Sequence, residues 1–204
     1  MPKLKEGEAE PYRVRPGTER DLPFIARTYA AGQARFLVEE KLVGEEFSLQ
    51  ALCDGKRLVP CPLVQDHKRA YEGDRGPNTG GMGAFSPSPR VTPEVQRMVE
   101  ERVLLPAVRE VARRGRPFRG ALYAGLMLTA EGPKVLEFNA RLGDPETQPI
   151  LLRMTSDIVP ALSAAARGDL SGAEMTFDRR AAVGVVLAAE GYPGKPATGD
   201  AIEG

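Results

Sequence analysis

The sequence predicts an α/β (α+β) fold in which an antiparallel sheet is flanked by helices. Two observations lead to this prediction. Strand-like runs occur at 46–53 and 121–138, and stretches with helical spacing and helix start signals occur at 92–114 and 157–168. The chain has 204 residues, of which 42% are hydrophobic, so it can bury one sizeable core. We therefore expect a folded, globular protein.

The composition narrows the classes of function. Basic and acidic residues number 28 each, and no long run of one sign occurs, whereas nucleic-acid binders carry a basic patch. A small-molecule partner is therefore favoured over nucleic acid. The two cysteines, Cys53 and Cys61, lack metal-ligand spacing and indicate neither a disulfide framework nor a zinc site. The polar start and the lack of a long apolar run predict a cytoplasmic protein without a membrane segment.

The first elements lie near the amino terminus. Residues 1–35 form an atypical segment in which 22–34 could be a short helix. Residues 36–39 predict a strand. Gly44 joins it to a second strand at 46–53, where apolar and polar side chains alternate.

A long segment rich in glycine and proline follows at 65–89, and it is too irregular to predict a helix or a ladder strand. Loops of this length in compact domains are usually functional. Thr92 and Pro93 then form a helix start, and the spacing of apolar residues predicts helix as far as Arg114. Pro106 should kink or split this helix because it lacks a backbone donor.

The next elements are a hairpin and two helices. The apolar runs 121–129 and 134–138 flank a turn sequence, Ala-Glu-Gly-Pro, and predict two antiparallel strands. One helix should start near Pro145. Another should begin around Asp157 and stop at Gly168, where glycine can adopt the left-handed cap conformation.

The carboxy-terminal part predicts a buried strand at 181–189 and a turn at 191–194. We expect three regions: the atypical segment 1–35, a subdomain at 36–170, and the opening of a C-terminal domain at 171–204. No internal repeat or low-complexity tract is present.

A candidate metal site lies at the end of the predicted hairpin. Glu137 and Asn139 are two residues apart in a strand, so their oxygens point to the same face. Mg²⁺ prefers such oxygens and keeps water and substrate phosphate in its shell, so two protein ligands can suffice. Arg141 could reach a transferring phosphoryl group. Taken alone, the motif is more often a solvated glutamate and a strand-ending asparagine.

A second candidate is the strand, bend and strand at 36–48, which has acidic residues on both sides of the bend. Exposed main-chain groups at such a crossing can bind the edge of an adenine, and Glu46 could accept hydrogen bonds from ribose hydroxyls. Charged hairpin ends are common, so a purely structural role stays open.

The loop at 65–84 is a third candidate. Its glycines permit a backbone approach to an anion, and Lys68 and Arg69 add positive charge. His67 is the only histidine, and a hydrogen-bonded loop residue is a more common role for it than a catalytic base.

A fourth candidate is the Asp-Pro-Glu sequence at 144–146, just before a predicted helix. Asp144 and Glu146 could bind an amine substrate. They could equally cap the helix amino terminus and complement its dipole.

Taken in order, four stretches resemble the glycinamide ribonucleotide synthetase family of ATP-grasp ligases. They are the hinge at 39–46, Q-D-H-K-R with G-P-N-T-G-G-M-G-A within 65–84, L-Y-A-G-L-M at 122–127, and E-F-N-A-R-L-G-D-P-E-T-Q at 137–148. The resemblance extends over roughly 36–199. It implies the carboxy-terminal subdomain of an ATP-grasp fold, and an enzyme that activates glycine with ATP as an acyl phosphate. The amine of 5-phosphoribosylamine then displaces phosphate.

The resemblance also implies roles for individual residues. Mg²⁺ or Mn²⁺ would be bound by Glu137 and Asn139. Adenine and ribose would contact Glu39, Glu40, Lys41, Leu42 and Glu46. Catalytic roles would fall to Arg141, Lys68, Asp66 and His67. Glycine and phosphoribosylamine would be bound by Asn78, Thr79, Gly80, Gly81, Asp144, Pro145 and Glu146.

The family pattern is a chain about twice this length, with a lysine-bearing, glycine-rich flap that closes over the ATP phosphates. Residues 1–34 do not resemble that flap. The resemblance therefore implies either a truncated ligase or a nucleotide-binding module that needs a partner chain for the missing half.

Overall fold

The computed structural model describes residues 40–201. The atypical segment 1–35, its helix at 22–34 and the strand predicted at 36–39 lie outside the described residues. Residues 43–201 belong to one compact unit and 40–42 to another. The description below concerns the larger unit.

The elements of this unit are best given in chain order. The strands are β1 (Glu45–Asp54), β2 (Leu58–Pro60), β3 (Gln65–Asp66), β4 (Arg69–Tyr71), β5 (Arg75–Asn78), β6 (Gly83–Ser86), β7 (Arg119–Thr129), β8 (Gly132–Asn139) and β9 (Ala182–Val185). The helices are α1 (Pro93–Val99), α2 (Leu105–Arg113), α3 (Thr147–Arg153) and α4 (Ile158–Arg167).

The main sheet has four antiparallel strands in the order β2-β1-β7-β8. The predicted strand at 46–53 and the predicted hairpin at 121–138 are thereby confirmed. β1 and β7 pair along their whole length, from Glu45 opposite Leu128 to Asp54 opposite Arg119. Residues directly opposite in such a pair project to the same face, so this register decides which side chains meet.

One face of β1 and β7 is apolar and forms the main core. Leu49 lies opposite Ala124, and both are fully buried. The other core residues of these two strands are Phe47, Ala51, Cys53, Leu122 and Leu126. Each large apolar side chain buried here contributes roughly 1.5–3 kcal/mol.

Helices α1 and α2 cover this apolar face, with Val99, Leu104 and Val108 in the same core. Thr92 caps α1 by accepting a hydrogen bond from the Val95 amide, and Pro93 occupies the first turn, as predicted. The predicted interruption at Pro106 is also confirmed. A π-helical turn at Glu100–Leu104 separates α1 from α2, because proline cannot donate the next helical hydrogen bond.

The opposite face of the sheet is covered at one end by α4, where Leu52 packs against Ala161 and Ala165. Asp157 caps α4 by accepting from the Val159 amide, and Gly168 ends it in the left-handed conformation, as predicted. The helix predicted near Pro145 is α3, which begins two residues later.

A smaller sheet with the order β3-β6-β9, together with a β4–β5 hairpin, corrects the prediction for 65–89. That segment was expected to contain no ladder strand. β3 pairs with β6 and β4 with β5 inside the segment, and β6 also pairs with the distant β9, where Gly83 lies opposite Val185. A Cβ on Gly83 would lie 2.6 Å from the Gly184 carbonyl oxygen, so the glycine that suggested a loop permits a close strand approach.

The prediction for 181–189 is wrong in both extent and burial. β9 is only four residues long, and Val183 and Val185 are 67% and 76% exposed. β9 lies at the edge of the small sheet beside α3, where a Cβ added to Gly184 would lie 3.7 Å from Pro149 Cδ. The apolar run therefore forms an edge strand instead of a central one. The turn predicted at 191–194 is present, with Gly194 donating to the Gly191 carbonyl.

Arg153 ties α3 to the small sheet. It is 8% exposed and donates to the Ser86 hydroxyl and to the carbonyls of Asp178 and Arg180. None of the helices between residues 40 and 201 has the length and apolar character needed to cross a bilayer.

Candidate functional site

The β7–β8 hairpin places Glu137 and Asn139 together, as predicted. They lie opposite Gly125 and Tyr123, and the Asn139 amide nitrogen donates to Glu137 Oε1 at 3.1 Å. A bulge before Glu137 shifts the β8 register, because Leu126 is opposite Val135 and leaves Leu136 as the extra residue. Both side chains therefore project from the face of the sheet opposite the α1–α2 core.

We call this side of β1, β7 and β8 the polar face. Its members follow from the strand register and are Glu46, Ser48, Gln50, Tyr123, Gly125, Glu137 and Asn139. Gly125 leaves room at its centre, since a Cβ there would lie 3.2 Å from Glu137 Cγ and 3.3 Å from Tyr123 Cε1.

Lys68 reaches the polar face from the segment after β3. Its ammonium lies 3.0 Å from Glu46 Oε2 and 3.2 Å from Asp66 Oδ2. Burial opposes the charge on Lys68, but Asp66 and Glu46 outweigh it and raise the pKa of the ammonium. Lys68 is therefore a fixed cation between two carboxylates.

A pocket of about 200 Å³ opens beside this ion cluster. It is lined by Glu46, Phe47, Lys68, Gly125, Leu126, Leu136 and Glu137. Pockets that enclose whole small-molecule ligands measure roughly 300 Å³ or more, so this one is large enough for only part of such a ligand. A larger, wide-open hollow of about 590 Å³ lies against Tyr71 and Arg75 and contains none of the predicted site residues.

The acidic segment 144–146 adjoins the polar face. Glu146 is 3% exposed, and its Oε1 accepts from the Tyr123 hydroxyl at 2.8 Å. Burial and the nearby Asp66 raise the pKa of Glu146, and Tyr123 and Lys68 only partly oppose this. Burial and Glu146 likewise raise the pKa of Tyr123. Glu146 makes no helix-capping hydrogen bond from its side chain, so the capping alternative does not describe it.

The predicted substrate loop at 78–81 packs against this acidic segment. A Cβ on Gly81 would lie 2.3 Å from Pro145 Cδ, so only glycine allows the contact. The Thr79 amide and hydroxyl both donate to the Lys68 carbonyl, at 2.7 and 2.8 Å. The structure thus brings 78–81, 144–146 and Lys68 together, although they are distant in sequence.

Three other predicted residues are placed differently. His67 is exposed and stacks on Phe85, with ring centroids 5.6 Å apart. Arg141 is exposed and donates to the neighbouring Leu142 carbonyl, and Asp144 accepts from the Gln148 side chain. Their catalytic and substrate roles stay predictions.

The adenine and ribose contacts predicted at 39–42 also stay predictions. Glu39 lies outside the described residues. Glu40, Lys41 and Leu42 belong to the other compact unit. Glu46, the member of that set within residues 43–201, lies on the polar face described above.

The sequence prediction missed Ser48, Gln50 and Tyr123. Ser48 and Gln50 are fully buried, and Gln50 accepts from the Gly143 amide at 2.8 Å. The available signal was their alternation with apolar residues in β1, which marks one strand face as polar. A glutamine in a long central strand was the stronger hint, because a buried polar side chain requires a partner.

The donor set at Glu137 and Asn139 fits a hard cation such as Mg²⁺. Asn139 donates through its nitrogen, which leaves its carbonyl oxygen and the second Glu137 oxygen for an ion. Within residues 40–201, no group of three or more His, Cys, Asp or Glu side chains is arranged to hold a metal. These two residues would therefore supply only part of the shell, as is usual where phosphate and water complete it.

Comparisons with known structures define the class of this fold. It resembles the crystal structure of N5-carboxyaminoimidazole ribonucleotide synthetase from Thermus thermophilus, with a TM-score of 0.57 and 18% identity, over 84% of this chain and 43% of that one. At this identity the likeness shows the fold alone. The matches that follow identify this fold as that of ATP-grasp proteins.

The particular family follows from closer matches. Residues 23–147 match the family model described as phosphoribosylglycinamide synthetase, ATP-grasp (A) domain. The chain belongs to this family. It is also similar to the crystal structure of phosphoribosylamine–glycine ligase from Thermotoga maritima, with a TM-score of 0.71 and 41% identity, over 78% of this chain and 40% of that one.

Curated relatives support the same family assignment. Phosphoribosylamine–glycine ligase of Ralstonia nicotianae is 53% identical over 172 residues, which are 84% of this chain and 41% of that protein. The ligase of Caulobacter vibrioides is 52% identical over 177 residues, 86% and 42% of the two chains. The chain thus spans about two fifths of the length of the relatives it matches.

Proposed function

We propose that this chain provides the nucleotide-binding and metal-binding sheet of a phosphoribosylamine–glycine ligase, and that it joins glycine to 5-phosphoribosylamine with ATP. One observation carries the proposal: a metal-type donor pair, Glu137 and Asn139, shares a sheet face with Glu46, and Glu137 lines the same pocket as the Glu46–Lys68 ion pair. Family membership supports the same conclusion.

The residues of the polar face have complementary tasks in this reaction. Glu137 and Asn139 would hold Mg²⁺ or Mn²⁺, which neutralises phosphate charge when bound. Glu46 would accept from the ribose, and Lys68 would present a cation toward phosphate or acyl oxygens. Positioning and electrostatic stabilisation dominate phosphoryl transfer, so a preformed polar face is what the chemistry requires.

The amine substrates would lie toward 78–81 and 144–146. Glu146 and Asp66 are buried carboxylates, and Lys68 neutralises only part of their charge. Such a region favours a protonated or partly positive amine over an anion. A partner chain that supplies the remaining parts of the ligase belongs to the same proposal.

The test combines a turnover assay with a binding assay. ADP release should require Mg²⁺, glycine and phosphoribosylamine together, and Glu137→Gln should lower it about 100-fold because a metal ligand is lost. The matched control is Glu131→Gln, in the turn of the same hairpin, where the carboxylate contacts only the nearby Lys134 among the described contacts.

The outcomes separate the candidate functions. Turnover that depends on Glu137 but not on Glu131 supports the ligase. Calorimetric binding of Mg-ATP without ADP release supports a nucleotide-binding module that needs a partner chain. A Glu137→Gln variant with unchanged metal-dependent ATP affinity contradicts both.

A further inference from the structure

Two side-by-side residues of the polar face hold residues 143–146 in place, which are the acidic segment 144–146 and the preceding Gly143. Gln50 and Tyr123 are direct partners in the β1–β7 register. Gln50 Oε1 accepts from the Gly143 amide at 2.8 Å, and the Tyr123 hydroxyl donates to Glu146 Oε1 at 2.8 Å. Both hydrogen bonds are buried, and each joins a central strand to the same short segment.

The fit around this segment is tight. A Cβ on Gly143 would lie 2.5 Å from Glu146 Oε2 and 3.0 Å from Tyr123 Cε2. The Gly143 carbonyl accepts from the Thr147 amide, so the start of α3 is tied to the same point. Gly81 packs on Pro145, and the segment therefore also supports the loop at 78–81. A displacement of 143–146 would move both predicted substrate-binding regions.

Buried hydrogen bonds of this kind hold the segment in one geometry, because breaking one leaves a buried polar group without a partner. Gln50 Nε2 is itself buried and has no hydrogen-bond partner among the described residues. The Gln50 side chain is therefore held through its Oε1 contact with the Gly143 amide. Neither residue lines the nucleotide pocket.

We propose that Gln50 and Tyr123 are positioning residues for amine-substrate binding, acting through Gly143 and Glu146. The inference rests on the proposed function and extends it by separating two groups on one sheet face. Glu137 and Asn139 serve the nucleotide, whereas Gln50 and Tyr123 fix the segment that meets the amine. Substitutions at the second pair should therefore leave nucleotide affinity intact.

The experiment is a set of calorimetric titrations with Mg-bound, non-hydrolysable ATP analogue and then with glycine. Tyr123→Phe keeps the ring, and Gln50→Met keeps the length of the side chain, so both remove hydrogen bonds with little change in volume. Each should weaken glycine binding about tenfold and change nucleotide affinity by less than about twofold. The double variant should lose less than the product of the two single effects, because both bonds hold one segment.

Ser86→Ala is the matched control. It removes buried hydrogen bonds to the Leu63 carbonyl and Arg153 in the small sheet and should leave glycine affinity unchanged. Amide exchange at Gly143 should accelerate in Gln50→Met, which verifies that the segment is released. If Tyr123→Phe does not fold, Gln50→Met and its exchange rate decide the question.

Three results with the variants would overturn the inference. They are unchanged glycine affinity in both variants, a parallel loss of nucleotide affinity, and an equal effect in Ser86→Ala. A wild-type chain that binds nucleotide but not glycine also overturns it, and leaves the nucleotide site standing. A wild-type chain that binds neither overturns the proposed function as well.

Discussion

The two faces of the main sheet are built from alternate residues of the same strands, yet they are organised differently. Leu49 and its apolar neighbours are sealed under α1 and α2. One position along, Ser48 and Gln50 are equally buried, and Gln50 accepts a hydrogen bond from the Gly143 amide. Glu137 and Asn139, further across the polar face, are open enough to contact a ligand.

The difference shows how one sheet serves both stability and binding. On the apolar face, side chains stabilise the fold by leaving water, and other apolar side chains of similar shape can replace them. On the polar face, burial costs free energy unless each group has a partner, so the residues are specified by their contacts. Variants of the two faces should therefore fail in different ways.

The largest expected effect is on the apolar face. Leu49→Ala leaves a cavity in the centre of the core and should lower the free energy of unfolding by about 3 kcal/mol. Urea denaturation measures this loss. The folded fraction should bind nucleotide with wild-type affinity.

The matched control for this variant is Leu152→Ala, since Leu152 is 71% exposed and its truncation should change stability by less than about 0.5 kcal/mol. Equal losses in the two variants would contradict the assignment of the apolar face as the stabilising one.

The next effect is on the polar face. Lys68→Met removes the cation between Glu46 and Asp66 and should lower turnover about 100-fold, which corresponds to about 2.7 kcal/mol of transition-state stabilisation. Stability should fall less, by about 1–2 kcal/mol, because Lys68 and Glu46 are 35% and 42% exposed and only Asp66 is left buried without its cation. Steady-state kinetics and thermal denaturation on one preparation separate the two quantities.

Exposed Lys195 provides the control, since Lys195→Met also removes one positive charge but at a residue outside the polar face. If Lys68→Met lost stability in proportion to turnover, the polar face would be structural, and the comparison of the two faces would be wrong.

The smallest of the three effects concerns Asp54, at the end of the sheet that α4 covers. Its carboxylate has a structural role. Burial alone would raise the pKa of Asp54, but the amides of Leu170, Arg57 and Lys56 outweigh it and lower the pKa below 3.8. Asp54→Asn leaves one amide without an acceptor and should cost about 1.5 kcal/mol at pH 7.

The pH dependence of this difference has a definite sign. A carboxylate with a lowered folded-state pKa stabilises the fold above its unfolded pKa, and the contribution is lost as pH falls through the folded value. The gap between wild type and Asp54→Asn should thus be full above about pH 5 and shrink below about pH 4. Unfolding free energies at pH 7, 5 and 3.5 measure it, and a gap that widened on acidification would contradict the role of Asp54.

The local elements were predictable from sequence because short-range rules govern them. Thr92 and Asp157 cap their helices, Gly168 ends one, and the β7–β8 turn follows its own sequence. The same-face placement of Glu137 and Asn139 needs only the two-residue period of a strand, so it too was fixed locally.

Tertiary structure decided what depends on distant partners. In the segment at 65–89, β3 pairs with β6 and β4 with β5, and β6 also pairs with the distant β9. β9 is exposed because its sheet ends there. Gln50 meets Gly143, and Tyr123 meets Glu146, through packing that no local pattern encodes. Sequence periodicity assigns a residue to a face, whereas the free energy of burying a polar group on that face depends on what the rest of the chain brings to it.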